Sequence, residues 1–319
     1  MSGGTAAVTN RIRWVVLGGD EPRLRATWRF LLAVPLLPLV ALLLALVMGG
    51  LGLAGLIAGG PIQAGIFLVL LAVWALAIDR RPLGDYGVSP TRTWLAELLV
   101  GVGAVVVAHL LWYGLGLAGG WTSVEVSMTA PQDSLGVGLV GTVLSFGLNV
   151  WVQDTVYFAI VLRTAAEGFQ SRDLAPRRAA AGALVAAVLF FTVIHGLSGP
   201  VELADKLLAG TVFGLLYLYT GELALTLGVH WGISATAGVL FPVAAMVEGS
   251  PSVFEVTEAV PGLVGTVSAR RMPQLVIASV LLLGWLQWRH GEVSIDTSIT
   301  RWIPRRPGRT GPAATPGDD

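Results

Sequence analysis

The sequence predicts an all-α protein, a polytopic bundle of about eight transmembrane helices with both termini on the cytoplasmic side. Hydrophobic residues make up 54% of the 319 positions and charged residues 13%. The mean hydropathy of +0.74 lies outside the balance of a water-soluble domain. Apolar runs near the roughly 20 helical residues that cross a bilayer core recur along the chain. They lie at 30–58, 62–78, 96–118, 135–162, 179–198, 206–220, 223–246 and 272–288. The basic residues supply the orientation. With the N-terminus inside, all 20 except Lys206, Arg270 and Arg271 fall in alternate, cytoplasmic segments, as the positive-inside rule requires.

Each element follows in order. Residues 1–29 are a polar cytoplasmic segment carrying Arg11, Arg13, Arg23, Arg25 and Arg29; the first apolar run is too long for a signal-peptide core, so no cleaved presequence is expected. Residues 30–134 hold spans one to three, 135–246 hold spans four to seven, and 247–288 hold an outer loop and the last span. Residues 289–319 form a cytoplasmic tail, rich in Pro, Gly and Arg from 303 onward and expected to be disordered. The runs are continuous blocks and not ten-residue alternations, so helices and not barrel strands do the spanning. The outer loops 119–134 and 247–271 carry Glu125, Asp133, Glu248, Glu255 and Glu258. Trp28, Trp94, Trp121, Trp285 and Trp288 sit near span ends, where tryptophan anchors a helix at the membrane interface.

Composition also excludes functions. The net charge is zero with no basic stripe, so no nucleic-acid partner is expected. Cysteine is absent, which removes disulfides, thiolate metal sites and cysteine nucleophiles together. A site must use histidine, carboxylates or hydroxyls. Membrane lipids are the expected surroundings, in the cell (plasma) membrane.

An ionisable residue near the bilayer centre costs about 2.5–3.5 kcal/mol, so each needs a partner, a wet cavity or a task. The candidates are His109, Asp154, His195 and His230, with Gln153 and Ser234 as neutral companions. His109 belongs to no motif and is read as a packed or interfacial histidine. His230 and Ser234 are four apart and share a helix face, as do Phe191 and His195. Gly210 and Gly214 form a GxxxG pattern, read as a packing element. Arg163 and Glu167, also four apart, are expected to pair on a solvated or interfacial helix surface. At about 1.5 Å per residue, His195 lies roughly 25 Å past Arg178 and His230 roughly 13 Å past Gly221. The two histidines share a depth only if helix five starts in the cytoplasm or helix six ends within the membrane.

A polar pair on one helix, then FxxxH, then the glycine-rich stretch GTVFGLLYLYTGELALTLGVHWGIS resembles the CPBP family of intramembrane proteases, relatives of the CAAX prenyl endopeptidases. The resemblance covers roughly residues 135–245, where the family pattern is EExxxR, FxxxH and HxxxN. Phe191 and His195 match the second motif, and His230 matches the third with Ser234 in its final position. Gln153 and Asp154 fall where the family has Glu-Glu, and Phe158 where it has Arg, so no residue of the first motif is unchanged.

The resemblance implies an endopeptidase acting on a membrane-protein or lipidated peptide substrate. On that reading Asp154 and His195 activate water, and His230 with Ser234 stabilises the oxyanion. No cofactor is implied. Two histidines and a carboxylate also match a zinc site with an open position, so zinc held by His195, His230 and Asp154 is the second choice. The altered first motif leaves a rival expectation, a catalytically inactive relative serving as a membrane binding or scaffold protein. A transporter is disfavoured, because the chain has no inverted repeat and no matched pair of interrupted helices.

Overall fold

The computed structural model describes residues 15–18, 21–51, 56–129, 134–196, 199–242, 251–258 and 267–301. The tail beyond 301, most of the first 29 residues, Asp133 and Glu248 lie outside the described residues.

Among the described residues eight helices carry the fold. Helix α1 spans Ala26–Gly50, interrupted at Pro35. Helix α2 spans Leu56–Val73 and continues as a π-helical turn over Trp74–Asp79. Helix α3 is Arg92–Gly119, started by the Thr91 hydroxyl, which accepts from the Trp94 amide at 3.1 Å. Helix α4 runs Leu135–Gln170, with a π-helical stretch over Thr155–Leu162. Helix α5 is Pro176–Ile194 and α6 is Pro200–Thr220, each with proline in its first turn, where the missing N–H costs nothing. Helix α7 spans Ala224–Leu240, its last turn π-helical over Thr236–Leu240, and α8 spans Val267–His290. Five of them, α1 to α5, are long and apolar enough to cross a membrane. Side chains such as Leu99 (65% exposed), Val193 (65%) and Val280 (64%) face outward, as expected where the surrounding medium is lipid. These features establish a helical integral membrane protein.

The described span ends depart from the apolar runs for local reasons. The first helix stops at Gly50, short of 58. The fifth stops at Ile194, before 198, because Gly196 turns the chain with φ +80°. The fourth passes 162 and reaches Gln170, since Arg163 and Glu167 find partners inside the protein.

Connections meet at two ends of the bundle. At one end, the strand β1 (Leu17–Gly18) pairs antiparallel with β2 (Glu21–Leu24) beside the α2–α3 and α4–α5 turns. There Arg23, Arg29 and Arg81 surround Asp79 and Glu167, all five buried. Arg23 lies 3.0 Å from both carboxylates, and Arg29 lies 2.6 Å from Asp79 and 3.0 Å from Glu167. Arg81 pairs with Asp79 at 2.6 Å and closely with Glu167. Glu167 therefore does not pair with Arg163 on a solvated surface. Arg163 is buried too and donates to the Asp85 carbonyl. Burial works against the Arg81 charge, but Glu167 and Asp79 outweigh it and hold the guanidinium above its usual range. Burial raises the Asp85 carboxyl despite the pull of Arg163 and Arg81. The α6–α7 turn joins this end: the Leu223 amide donates to Gly87 at 3.1 Å and the Asp296 amide to Leu218 at 2.7 Å.

At the other end the connections thought of as loops form a ribbon. Strand β3 (Thr122–Thr129) pairs antiparallel with β4 (Ser252–Glu258), with Val124 opposite Val256 and Val126 opposite Phe254. Thr122 and Val256 are buried, Val256 with Tyr113 and Phe241, while the alternate residues Ser123, Glu125, Glu255 and Thr257 are exposed, the period-two alternation of a one-sided ribbon. Of the expected interface tryptophans, Trp288 is 75% exposed, but Trp94 is buried and donates to the Gly87 carbonyl at 3.0 Å.

The core centres on α4. Every residue from Thr155 to Leu162 is buried, packed by α1, α5 and α6. Helices α3 and α7 approach most closely: a Cβ on Gly228 would lie 2.2 Å from the Leu98 carbonyl oxygen. Such contact between backbones is how membrane helices pack where small residues permit.

Candidate functional site

Four helices bring three of the predicted polar residues together. Asp154 is fully buried at the end of the regular part of α4, where the π-helical stretch begins. Single π turns re-phase the residues that follow and recur at functional sites. His230 lies on α7 and is fixed from three sides. One residue on, Trp231 donates to the Val143 carbonyl of α4 at 2.7 Å, its ring lying over Gly147. One turn earlier, the Thr226 hydroxyl donates to the Phe213 carbonyl of α6 at 3.0 Å. The Phe213 ring stacks on the imidazole with centroids 4.7 Å apart. So held, His230 Nδ1 lies 2.8 Å from Asp154 Oδ1. With Asp154 ionised and the imidazole neutral, the carboxylate can only accept, so Nδ1 carries the proton and Nε2 keeps its lone pair. Asp154 Oδ2 has no hydrogen-bond partner among the described residues.

His195 caps the end of α5. Its Nδ1 lies 2.8 Å from the Phe191 carbonyl oxygen, which commits that nitrogen as a donor. Its ring packs on Phe191 at 4.1 Å and near Tyr157 at 5.7 Å. Phe191 also meets His230 at 6.4 Å, so its ring stands between the two histidines.

Both histidines line one cavity with about 350 Å³ of empty space, its open mouth included. The other lining residues used below are Asp205, Lys206 and Phe213 of α6 and Arg271 of α8. From Asp205 to Phe213 the helix advances about 12 Å at about 1.5 Å per residue. That matches the depth difference between the histidines, so the site accommodates two depths by being elongated. His230 sits at the Phe213 level, with Asp154 behind it.

The remaining candidates lie elsewhere. Gln153 donates to Asn149, which donates to Gln63 of α2 at 2.9 Å, a polar ladder turned away from the cavity. Ser234 does not line the cavity. Asp154 contacts His230 and not His195, which departs from the expected pairing; the Trp231 and Thr226 clamps fix the α7 imidazole beside it. Phe158 is buried against Phe213 and leaves the motif's Arg position apolar. His109 is a packed histidine: its Nδ1 meets the Val105 carbonyl at 2.9 Å, and its ring lies near Tyr113 and Phe241. Gly210 and Gly214 pack as read, receiving Phe191 and Leu184 of α5. Among the described residues no three His, Asp or Glu side chains converge as metal ligands. Asp154 meets His230 Nδ1 and does not line the cavity.

Asp205, Lys206 and Arg271 also line the cavity and belong to no motif in the sequence. Arg271 contacts Asp205 Oδ2, Lys206 Nζ lies 3.3 Å from the same oxygen, and Asp205 Oδ1 has no partner among the described residues. The available signal was an Asp–Lys pair in the first turns of an otherwise apolar helix.

Comparison with known proteins yields no matching protein-family model, no matching curated protein and no matching solved structure.

Proposed function

We propose that the chain is an intramembrane endopeptidase of the CPBP type, cleaving a peptide bond in a membrane-associated protein or peptide. The observation that carries this reading is the 2.8 Å contact between Asp154 and His230 beside a cavity shared with His195. A buried carboxylate that fixes an imidazole tautomer and leaves Nε2 open is the arrangement that makes histidine a general base. His230 Nε2 takes a proton from water as the oxygen adds to the substrate carbonyl. Asp154 stabilises the imidazolium that results. That proton then passes to the leaving amine as the C–N bond breaks. His195, with Nδ1 donating to the Phe191 carbonyl, keeps its Nε2 lone pair and lines the cavity, where it accepts a hydrogen bond from the attacking water and orients it.

The same reading places eight spans in the plasma membrane with both termini cytoplasmic. Its support is that the arginine-rich connections meet at one end and the β3–β4 ribbon closes the other. Among the described residues zinc would find two imidazoles and no third ligand beside them, so the metal-free mechanism is preferred. The inactive scaffold is the second reading, favoured by Gln153 and Ser234 lying outside the cavity.

The test is cleavage of a quenched fluorescent transmembrane peptide library by the protein in lipid nanodiscs. Cleavage lost in His230→Ala supports the endopeptidase. No cleavage by the parent supports the scaffold, and equal cleavage by the variant refutes the role given to His230.

A further inference from the structure

The cavity's second end carries chemistry that the hydrolytic reading does not use. Arg271, Lys206 and Asp205 converge there, about 12 Å along α6 from the level of Phe213 at about 1.5 Å per residue. Both cations reach the same oxygen, Asp205 Oδ2. Asp205 itself is 1% exposed, so it is a fixed post that holds the two cations side by side. Glu202, one turn before Lys206, does not line the cavity. Among the lining side chains two cations face one carboxylate, with Phe191, Phe213, Ile233 and Leu275 as apolar walls and the two histidines beside them, while Glu202 acts on Lys206 from outside the cavity. Unbalanced charge among apolar walls is costly within a membrane protein, and a matching anion offsets it.

We propose that Lys206 and Arg271, aligned by Asp205, form an anion subsite that takes one carboxylate of a peptide ligand lying along the cavity. The charge count favours a single carboxylate over a dianionic phosphate. The carboxylate can come from an acidic side chain or from a chain terminus. The peptide as ligand rests on the endopeptidase reading, but binding is measured without cleavage.

The test uses the full chain in phosphatidylcholine nanodiscs and three dansylated tetrapeptides of Leu, Ala, Val and Leu, read by fluorescence anisotropy. One has a free C-terminus, one is the amide, and one is the amide with Glu in place of Ala. The subsite predicts that at least one carboxylate peptide binds about tenfold or more tightly than the neutral amide, the scale of a charge-assisted contact. Which one gains identifies the source of the carboxylate. In Lys206→Gln, and in the charge-neutral pair Asp205→Asn with Arg271→Gln, the advantage falls to less than about threefold while the amide still binds as before. That unchanged amide binding reports an intact cavity. The contrast persisting in Asp154→Asn, or in a parent that cleaves nothing, supports the subsite and separates it from the hydrolytic reading. Equal binding of all three peptides, or binding of none, overturns the proposal. So does a carboxylate advantage untouched by either variant. Displacement of every peptide alike by phosphatidylglycerol, lost in Lys206→Gln, would assign the site to a lipid phosphate and overturn it as well.

Discussion

Replacing Asp154 by Asn isolates the contribution of the carboxylate behind His230 with almost no change of shape. The 2.8 Å contact to Nδ1 can persist with a neutral amide, but the charge that stabilises imidazolium is gone. Unit charges about 4 Å apart interact by about 4 kcal/mol at an effective dielectric of about 20. At about 1.36 kcal/mol per tenfold, that loss slows the proton-transfer step by roughly a thousandfold. An asparagine that turns its NH2 towards Nδ1 would place the proton on Nε2, and a wrong tautomer extends the loss to about 10⁴-fold. The assay is single-turnover cleavage of the best peptide from the library, with parent and variant in the same nanodiscs. Thermal unfolding of both establishes that the fold is intact. A folded variant that cleaves within about threefold of the parent refutes the role given to Asp154.

Other consequences concern the scaffold. Glu167→Gln removes one of the two carboxylates that the three buried guanidiniums share, and removing one partner of a buried ion pair costs about 3–5 kcal/mol, so thermal or denaturant unfolding in detergent should show a large loss. An unchanged midpoint would show that the network contributes nothing. Asp85 is held above the usual carboxylate range by burial, so its ionisation opposes folding as pH rises through its folded pKa. Asp85→Asn should therefore raise Tm at pH 8, with the gain vanishing towards pH 4; a gain that grows on acidification contradicts the sign. The chain has no cysteine, so single cysteines report topology cleanly. Ser123→Cys should label with impermeant maleimide on intact cells and Ser171→Cys only after lysis, and the reverse pattern inverts the orientation.

The helices were legible because a membrane span must be apolar throughout: each apolar run overlaps a described helix, and five of those helices are long and apolar enough to cross a membrane. What periodicity cannot show is where a helix departs from 3.6 residues per turn. The π-helical stretches after Asp154 and after Ala235 decide which faces meet, and they arise from tertiary packing. His195 and His230 were visible as isolated polar residues in apolar surroundings. Their arrangement was not, because the Asp154 contact depends on Trp231 reaching α4 and Thr226 reaching α6. Lys206 and Arg271 were counted only as charges on the outer side, since their shared partner Asp205 fell just before the sixth apolar run. The paired strands β3 and β4 escaped notice because 122 residues or more separate partners such as Thr129 and Ser252 only in sequence, not in space.

The most direct test of the site is the protonation of His230, read by nuclear magnetic resonance on protein labelled with ¹⁵N-histidine, which has four histidines to assign. The account predicts a strongly downfield proton on His230 Nδ1 that is lost in Asp154→Asn, while the His195 Nδ1 proton, bonded to the Phe191 carbonyl, remains. A His230 that carries its proton on Nε2, or an Nδ1 proton indifferent to Asp154, would contradict the carboxylate–histidine pair on which the proposed chemistry stands.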